Sequence, residues 1–534
     1  MAVYVNQVGY YNNGLKQATL CGSSSYKLVD QEGKTVLSAD SLELTFDKNS
    51  GDDIALIDFS HIKETGNYYF VDGEGNKSCS FEIKENVFAN LFSDALKMFY
   101  FQRCGIELEE KYAGVYTHKA CHTNKVTLLK DSSVSFECCG GWHDAGDYGR
   151  YVTAGAVAVA HLLYAYELNP EVFNFSLNIP ESGNGTPDIL NECRYELEWF
   201  LKMQAEDGSV YHKCTSMHHT GFVMPEDDPL DFIVTPVSSI ATADFAGICA
   251  QAARIYAKFD KDFSETLKAA ALKAYDWLIK NPAYYFTNPK ECTTGTYEDP
   301  CDTDERMWAY AEIYRLSGDK TALNQLKGAL NTQIRTTALG WGDVGGFASL
   351  AVLTAPCGMF DDDLIFNLRQ NWLDEADRLS KVSQENAFGI AFHSFNFGWG
   401  SNMGVLLNGM ILCYAHKLTG KKKYLDAAIC QLDYILGRNA MDTSYVTGYG
   451  EKAFRNPHNR PTYADGIDDP IPGFVSGGPN RNPCDPDALA IIKPGEAPMK
   501  CFADHWGSYS TNEITIYWNS PLVYTLAYIT SVMK

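Results

Sequence analysis

The sequence predicts a mainly α protein in which helical hairpins close into a barrel behind a small all-β module, and three observations carry that expectation. From Val3 to about Ile83 the chain is a series of short strand-like runs separated by turn residues. After about Glu85 apolar residues recur at helical spacing, with breakers between the helices, to the end of the chain. The helical region has no clear sequence repeat, which favours a closed barrel of hairpins over a solenoid.

The strand-like runs are Val3-Tyr4-Val5, Gln17 to Leu20, Tyr26 to Val29, Ile54 to Phe59, Tyr68 to Val71 and Ser80 to Ile83. Asp30-Gln31-Glu32-Gly33 and Asp72-Gly73-Glu74-Gly75-Asn76 supply the turn chemistry between them, as in a β-sandwich. Farther on, Phe245, Ile248, Cys249, Ala252, Ile255 and Tyr256 form one apolar stripe, and Met307, Tyr310, Ala311 and Tyr314 another. Gly318 and Gly420 stand where two such helices should stop. Roughly ten to twelve helices are expected. The segment from Pro461 to Lys500 is rich in Pro, Gly and Asp and lacks helical periodicity, the composition of a long functional loop. The expected division is 1–85 for the all-β module and 86–534 for the helical domain.

Composition narrows the partners. With 45% hydrophobic and 13% aromatic residues over 534 positions, the chain can bury a large core. A net charge of −23 without clustered Lys and Arg argues against nucleic acid, because phosphate binding needs basic side chains. No apolar run is long enough to cross a bilayer, so no membrane partner is expected, and the protein is read as a monomer acting on a neutral ligand. The 16 cysteines are dispersed, and Cys249, Cys413 and Cys430 fall in apolar helical runs, so most are read as reduced and buried. The start at Met1 has no leader-like core; the expected localisation is secreted or cell-associated with a leader removed, or cytoplasmic.

The chemistry is expected around Gly140-Gly141-Trp142-His143-Asp144-Ala145-Gly146-Asp147-Tyr148-Gly149-Arg150, a glycine-rich loop that runs into an apolar helix. Asp144 and Asp147 are spaced to share a water, one as base and one orienting it; alone, the pair reads first as a helix cap, and the dense glycine and aromatic setting is what favours chemistry. Glu513 stands among aromatic residues between Phe502 and Ser520, a setting that suits a general acid or an ordinary helix start. His458 and Arg460, between Pro457 and Pro461, can donate to sugar hydroxyls or form a surface ion pair. Cys104, Cys121, His122 and His143 could hold tetrahedral zinc or be four buried side chains. Asp304 and Glu305, with Asp343 downstream, offer hard oxygens for calcium or an acidic helix start.

Together these residues resemble glycoside hydrolase family 9, the cellulase family with an (α/α)6 barrel. Asp144-Ala145-Gly146-Asp147 matches its first catalytic motif. Ser444 to Lys452 leading to Pro457-His458-Asn459-Arg460 matches its His-Arg signature, and Phe502-x-Asp504, Tyr509, Glu513-x-Thr515 and Asn519-Ser520 match its Glu signature. Val5-Asn6-Gln7-Val8-Gly9-Tyr10 resembles the start of the immunoglobulin-like module that one subgroup carries and that is thought to buttress the barrel. The resemblance implies a structural zinc at Cys104, Cys121, His122 and His143, and calcium at Asp304, Glu305 and Asp343. It implies a substrate-contacting His212, and no organic cofactor is expected.

The function so implied is inverting hydrolysis of β-1,4-glucosidic bonds in soluble β-glucans, amorphous cellulose and cello-oligosaccharides. Asp147 would be the base, Asp144 would hold the water, and Glu513 would be the acid, with His458 and Arg460 gripping the sugar. Trp142, Trp399 and Trp518 are candidates to stack on pyranose rings. An exo-acting cellodextrinase or β-glucosidase of the same family, a catalytically lapsed carbohydrate-binding protein, and a zinc hydrolase are the alternatives; a closed four-ligand metal set argues against the last.

Overall fold

A computed structural model describes residues 2–533, which form two compact units: residues 2–98 with 376–533, and Phe99–Glu375. The first unit begins with two antiparallel-rich sheets. One orders its strands Ala2–Tyr4, Gln17–Cys21, Asp52–Asp58 and Thr45–Asp47; the other orders Gly9–Tyr10, Phe81–Ile83, Gly66–Asp72, Tyr26–Asp30 and Thr35–Ala39. All six expected strand runs are present, and the added strands are short or lie at sheet edges. Alternate residues turn inward, so Leu20, Leu28, Ile57, Phe70, Phe81 and Ile83 enter one shared core. At its centre the Phe59 ring meets Tyr10, Phe70 and Phe81 at centroid distances of 5.1 to 5.6 Å.

The opening Asn6-Gln7 pair docks this sandwich onto the C-terminal part of the same unit. Asn6 donates its side-chain amide to Asp433 at 2.8 Å, and the Gln7 amide N–H reaches the Leu436 carbonyl at 2.9 Å. The Gln7 side chain spans from Asp442 O at 3.0 Å to Lys452 N at 2.8 Å, so it fixes both ends of the segment that leads to His458. Asn6, Gln7 and Asp433 are buried, and these bonds offset part of the cost of burying them, although Asp433 Oδ2 has no hydrogen-bond partner among the described residues and burial pushes that carboxyl up to about 6.

The remainder is mainly helical, with twelve helices of nine residues or more among the described residues. The expectation of helix from about Glu85 onward is corrected by a five-stranded sheet (Asp131–Phe136, Val126–Leu128, Ile233–Val234, Lys213–Thr215, Arg150–Tyr151) and the pair Val210–Tyr211 with Val237–Ser238, whose strands of two to six residues are too short to show a period of their own. In the second unit a helix buried all round is followed by an amphipathic one. Ser239–Tyr256 is almost wholly buried, and Lys261–Lys280 after it alternates buried Leu267, Ala271, Ala274 and Leu278 with exposed charges. The Ser238 and Asp260 side chains accept from the N–H groups of Ala241 and Phe263, which starts each helix with one of its free donors satisfied. Gly318 and Gly420 end their helices at φ of 74° and 68°, the left-handed conformation expected of a glycine stop. No helix is long and apolar enough to cross a membrane among the described residues.

The Pro461 to Lys500 segment is mostly irregular, with the short helices Arg460–Ala464, Pro486–Ile491 and Pro498–Lys500 at or within its ends. Its middle is nevertheless anchored, because Gly473 N and Phe474 N bond to Thr447 and Val475 N bonds to the Asn519 side chain.

Candidate active site

In the Phe99–Glu375 unit, the loop from Gly140 to Arg150 is built by main-chain bonds to the end of the first long helix. Cys104 N donates to Gly141 O at 2.8 Å and His143 N to Gln102 O at 2.7 Å, while the Gln102 side chain donates to the carbonyls of His143 and Ala145. Gly141 sits at φ 77°, and a Cβ there would lie 2.8 Å from Trp199 and 2.9 Å from the Glu196 carboxylate, so no other residue fits. The fully buried Arg150 guanidinium draws the loop's two ends together by donating to Cys138 O at 2.6 Å and Gly140 O at 2.7 Å.

This scaffold gives the two aspartates different surroundings. Asp144 is 2% exposed; burial, opposed by a hydrogen bond from Tyr297 and reinforced by the charge of Asp147, pushes its carboxyl well above the usual range. Its Oδ2 accepts the Tyr297 hydroxyl at 2.5 Å, and Oδ1 has no hydrogen-bond partner among the described residues. Asp147 keeps 11% of its side chain exposed, accepts the Gly149 N–H at 3.2 Å and faces His219 Nδ1 at 3.5 Å. Tyr297 had no sequence signal, since it lies in an irregular segment between helices. It stands at φ 48°, with its ring 4.7 Å from Tyr151 and 5.0 Å from Trp341.

Cys104, Cys121, His122 and His143 do come together: one ligand atom of each lies within 4.8 Å of all the others. Cys104 Sγ is 3.9 Å from His122 Nδ1 and Cys121 Sγ is 4.0 Å from His143 Nε2, close to the roughly 3.6 Å that tetrahedral Zn–S and Zn–N bonds imply. Burial opposes ionisation of Cys104, but the Cys121 thiol, the Arg150 guanidinium and the two histidines outweigh it and hold that thiol well below its ordinary pKa. His122 Nε2 faces Asp228 at 3.2 Å, which fixes the ring so that Nδ1 points inward. The donor set therefore fits a soft-to-borderline metal ion.

The acidic group is wider than expected. Asp304 and Glu305 are joined by Asp244 from the buried helix Ser239–Tyr256, and all four carboxylate oxygens of Asp244 and Glu305 are buried with no hydrogen-bond partner among the described residues. Burial first, then the mutual charges with Asp304 and Asp299, drive both carboxyls well up. Asp343 is pushed up to about 6, chiefly by burial, although it lies 3.4 Å from Arg335. Asp304 Oδ2 accepts the Val344 N–H at 2.8 Å. Among the described residues only the Cys104, Cys121, His122 and His143 set lies close enough to hold a metal ion, so what supports calcium at Asp304, Glu305 and Asp343 is the mutual repulsion of buried hard oxygens and not a closed ligand shell. Asp244 escaped the sequence reading because it reads as one polar residue within an apolar helix.

In the other unit, Glu513 follows the short helix Tyr509–Asn512 in an extended conformation and is gripped from both sides. It pairs with His458 in a parallel bridge, with His458 N donating to Asn512 O at 2.9 Å, and Gly477 N donates to the Glu513 carbonyl at 2.8 Å. The Glu signature is largely a holding device: Asp504 accepts the N–H groups of Arg455 and Asn456, and Asn519 bonds to Val475, Ala95 and Gly473. His458 is 9% exposed and its Nδ1 donates to Trp506 O at 2.7 Å, whereas Arg460, 5% exposed, opens the helix Arg460–Ala464.

Three expectations about ligand contact are corrected. Trp142 is fully buried against Phe99, at 4.7 Å, and presents no face to a sugar. Trp518 is 3% exposed and lies over Gly400 and Gly477, where a Cβ would come within 3.0 Å of its ring. His212 is fully buried with both ring nitrogens engaged, by Ser238 Oγ and Thr296 O at 2.9 Å each, so it is a core histidine here. Trp399 alone of the three tryptophans is open, at 51% exposure, 5.5 Å from the Tyr509 ring.

Comparison with known proteins gives two family matches: Glycosyl hydrolase family 9 over residues 88–526 and Cellulase N-terminal ig-like domain over residues 1–78. A Cellodextrinase from Butyrivibrio fibrisolvens is 42% identical, covering 98% of this chain and 99% of its own length. Among solved structures, a mutant thermostable endoglucanase from Alicyclobacillus acidocaldarius superposes with a TM-score of 0.93 at 33% identity, covering 99% of each chain. A Zn-binding triple mutant of a family 9 endoglucanase matches with a TM-score of 0.92 at 31% identity, over 97% of this chain and 99% of that one.

Proposed function

We infer the activity from a premise that the comparisons establish: the chain belongs to glycosyl hydrolase family 9, with a helical catalytic domain behind an all-β immunoglobulin-like one. The reading is hydrolysis of β-1,4-glucosidic bonds in soluble β-glucans, amorphous cellulose and cello-oligosaccharides, with inversion at the anomeric carbon. Residues 1–85 are the supporting module and 86–534 the catalytic one. A cellodextrinase-like preference for short chains is the second reading, favoured by the 42% identical relative that matches over its whole length.

The observation that carries the mechanism is the unequal pair in one loop. Asp147, partly open, is the base that takes a proton from water. Asp144, dry and held by Tyr297, offers its second oxygen to orient that water. Glu513 gives its proton to the departing glycosidic oxygen, and the new anomeric C–O bond forms as the old one breaks, so one water is consumed per cut. His458 and Arg460 hold hydroxyls of the sugar. Their loop is anchored at Asp504, Asn512 and Gln7, so little freedom is lost on binding.

Zinc at Cys104, Cys121, His122 and His143 is a structural tie, since four protein ligands leave no open position for water. It fastens the Asp144 loop through His143, one residue away. Calcium at Asp304, Glu305 and Asp343, with Asp244 beside them, neutralises carboxylates that otherwise repel. Neither ion takes part in the proton transfers.

The deciding experiment follows the first product of cello-oligosaccharide cleavage by proton NMR. The α-anomer should appear first and then equilibrate. An initial β-anomer refutes inversion and the base role of Asp147, and no reducing sugar at all refutes the glucanase reading.

A further inference from the structure

We propose that Tyr463 and Trp506 form an aromatic platform that binds a pyranose ring of the glucan chain beside the residue that Glu513 protonates; this rests on the β-1,4-glucanase reading. Neither ring belongs to the motifs that carry the family resemblance. Scattered surface aromatics are ordinary, but these two are contiguous: the rings are 4.5 Å apart at 42°, with 48% and 36% of the residues exposed. His505 stacks behind Trp506 at 5.4 Å and 29°, which widens the apolar surface and limits the indole's motion.

The platform is built to stay in place. Tyr463 rides on the helix Arg460–Ala464, whose start is capped by Asn459 accepting from Thr462 N and Thr462 Oγ1 at 3.1 and 2.8 Å. Trp506 follows Asp504, whose carboxylate takes the N–H groups of Arg455 and Asn456 at 2.9 and 2.8 Å and thereby joins the two loops that carry the rings.

Its location assigns the ligand. The main-chain oxygen of Trp506 accepts from His458 Nδ1 at 2.7 Å, and His458 pairs directly with Glu513 in the parallel bridge. One residue, His458, therefore links Trp506 to Glu513. The C–H faces of a β-linked glucose are apolar and stack on such rings, while its equatorial hydroxyls point outward to water or to side chains such as His458. A rigid exposed aromatic surface pre-orders one ring of the chain at low entropic cost.

The test is steady-state kinetics on cellotriose through cellohexaose with Trp506→Ala, Tyr463→Ala and Trp506→Phe. Alanine at 506 keeps the carbonyl that holds His458, so turnover at saturation should persist. KM should rise about five- to tenfold for the longer substrates and stay near wild type for the shortest, with Phe restoring most of it. An unchanged KM at every length, or an equal loss at every length, overturns the platform while leaving the glucanase reading intact. If Trp506→Ala is poorly folded, Tyr463→Ala decides by the same criterion. A wild-type protein that cleaves no member of the series refutes both readings together.

Discussion

Removing the Tyr297 hydroxyl is the sharpest probe of how the two aspartates divide the work. Tyr297→Phe deletes one oxygen and leaves the ring in place between Tyr151 and Trp341, so the backbone at φ 48° has no new reason to move. The lost bond is a 2.5 Å contact to a buried carboxylate. A hydrogen bond to a charged group contributes about 1.5 to 3 kcal/mol, and each 1.4 kcal/mol is tenfold, so kcat/KM should fall about ten- to hundredfold. The sign of the pH effect is also fixed. The Tyr297 donor lowers the Asp144 pKa against the effect of burial, so its removal moves Asp144 higher and shifts the acid limb of kcat/KM to higher pH. Initial-rate assays on cellotetraose from pH 4 to 9, with melting curves as a folding control, measure both. In an Asp144→Asn background the same substitution should change little, because its partner's charge is already gone. A single Tyr297→Phe variant within about twofold of wild type, with an unmoved acid limb, refutes the assignment of Tyr297 as the group that positions Asp144.

Four further outcomes are expected. Glu513→Gln should lose most turnover on natural glucans yet bind oligosaccharide in calorimetry, since the amide keeps its shape and cannot give a proton; near-normal turnover would remove Glu513 as the acid. Cys104→Ser should lose its zinc and melt several degrees earlier, and one zinc per chain with unchanged melting in that variant would exclude Cys104 as a ligand. Asp244→Asn should weaken calcium-dependent thermal stabilisation without altering zinc content, whereas an unchanged calcium response would separate Asp244 from the acidic site. Burial lowers His161 to about 3 and His212 to about 4 from an ordinary 6.5. The unfolded chain then binds protons that the folded one refuses, so stability is lost as pH falls from about 6.5 toward 4, by about 3 kcal/mol for each histidine at the lower end. Denaturant unfolding of His161→Gln should show a shallower acid slope, and an identical slope would exclude His161 as a source of it.

Local residue order determined the β-then-helix division, the glycine helix stops and the motif residues around Asp144, Asp147, His458 and Glu513, because alternation, helical period and close-approach glycines are written into neighbouring positions. It also named the four side chains of the Cys and His cluster, whose types restrict the chemistry even where spacing says nothing. Tertiary structure alone decided which aromatic and polar groups are open. Trp142, Trp518 and His212 look like ligand contacts in one dimension, but a ring's exposure depends on what packs over it from distant segments, and here Phe99, Gly400, Gly477 and Thr296 do. Tyr297 lies 153 positions from Asp144, and Asp244 is 61 positions from Glu305 (305 − 244), so no local pattern could join either pair. Long-range folding makes those contacts, and the cost of leaving a buried carboxylate unpaired is what gives each of them its meaning.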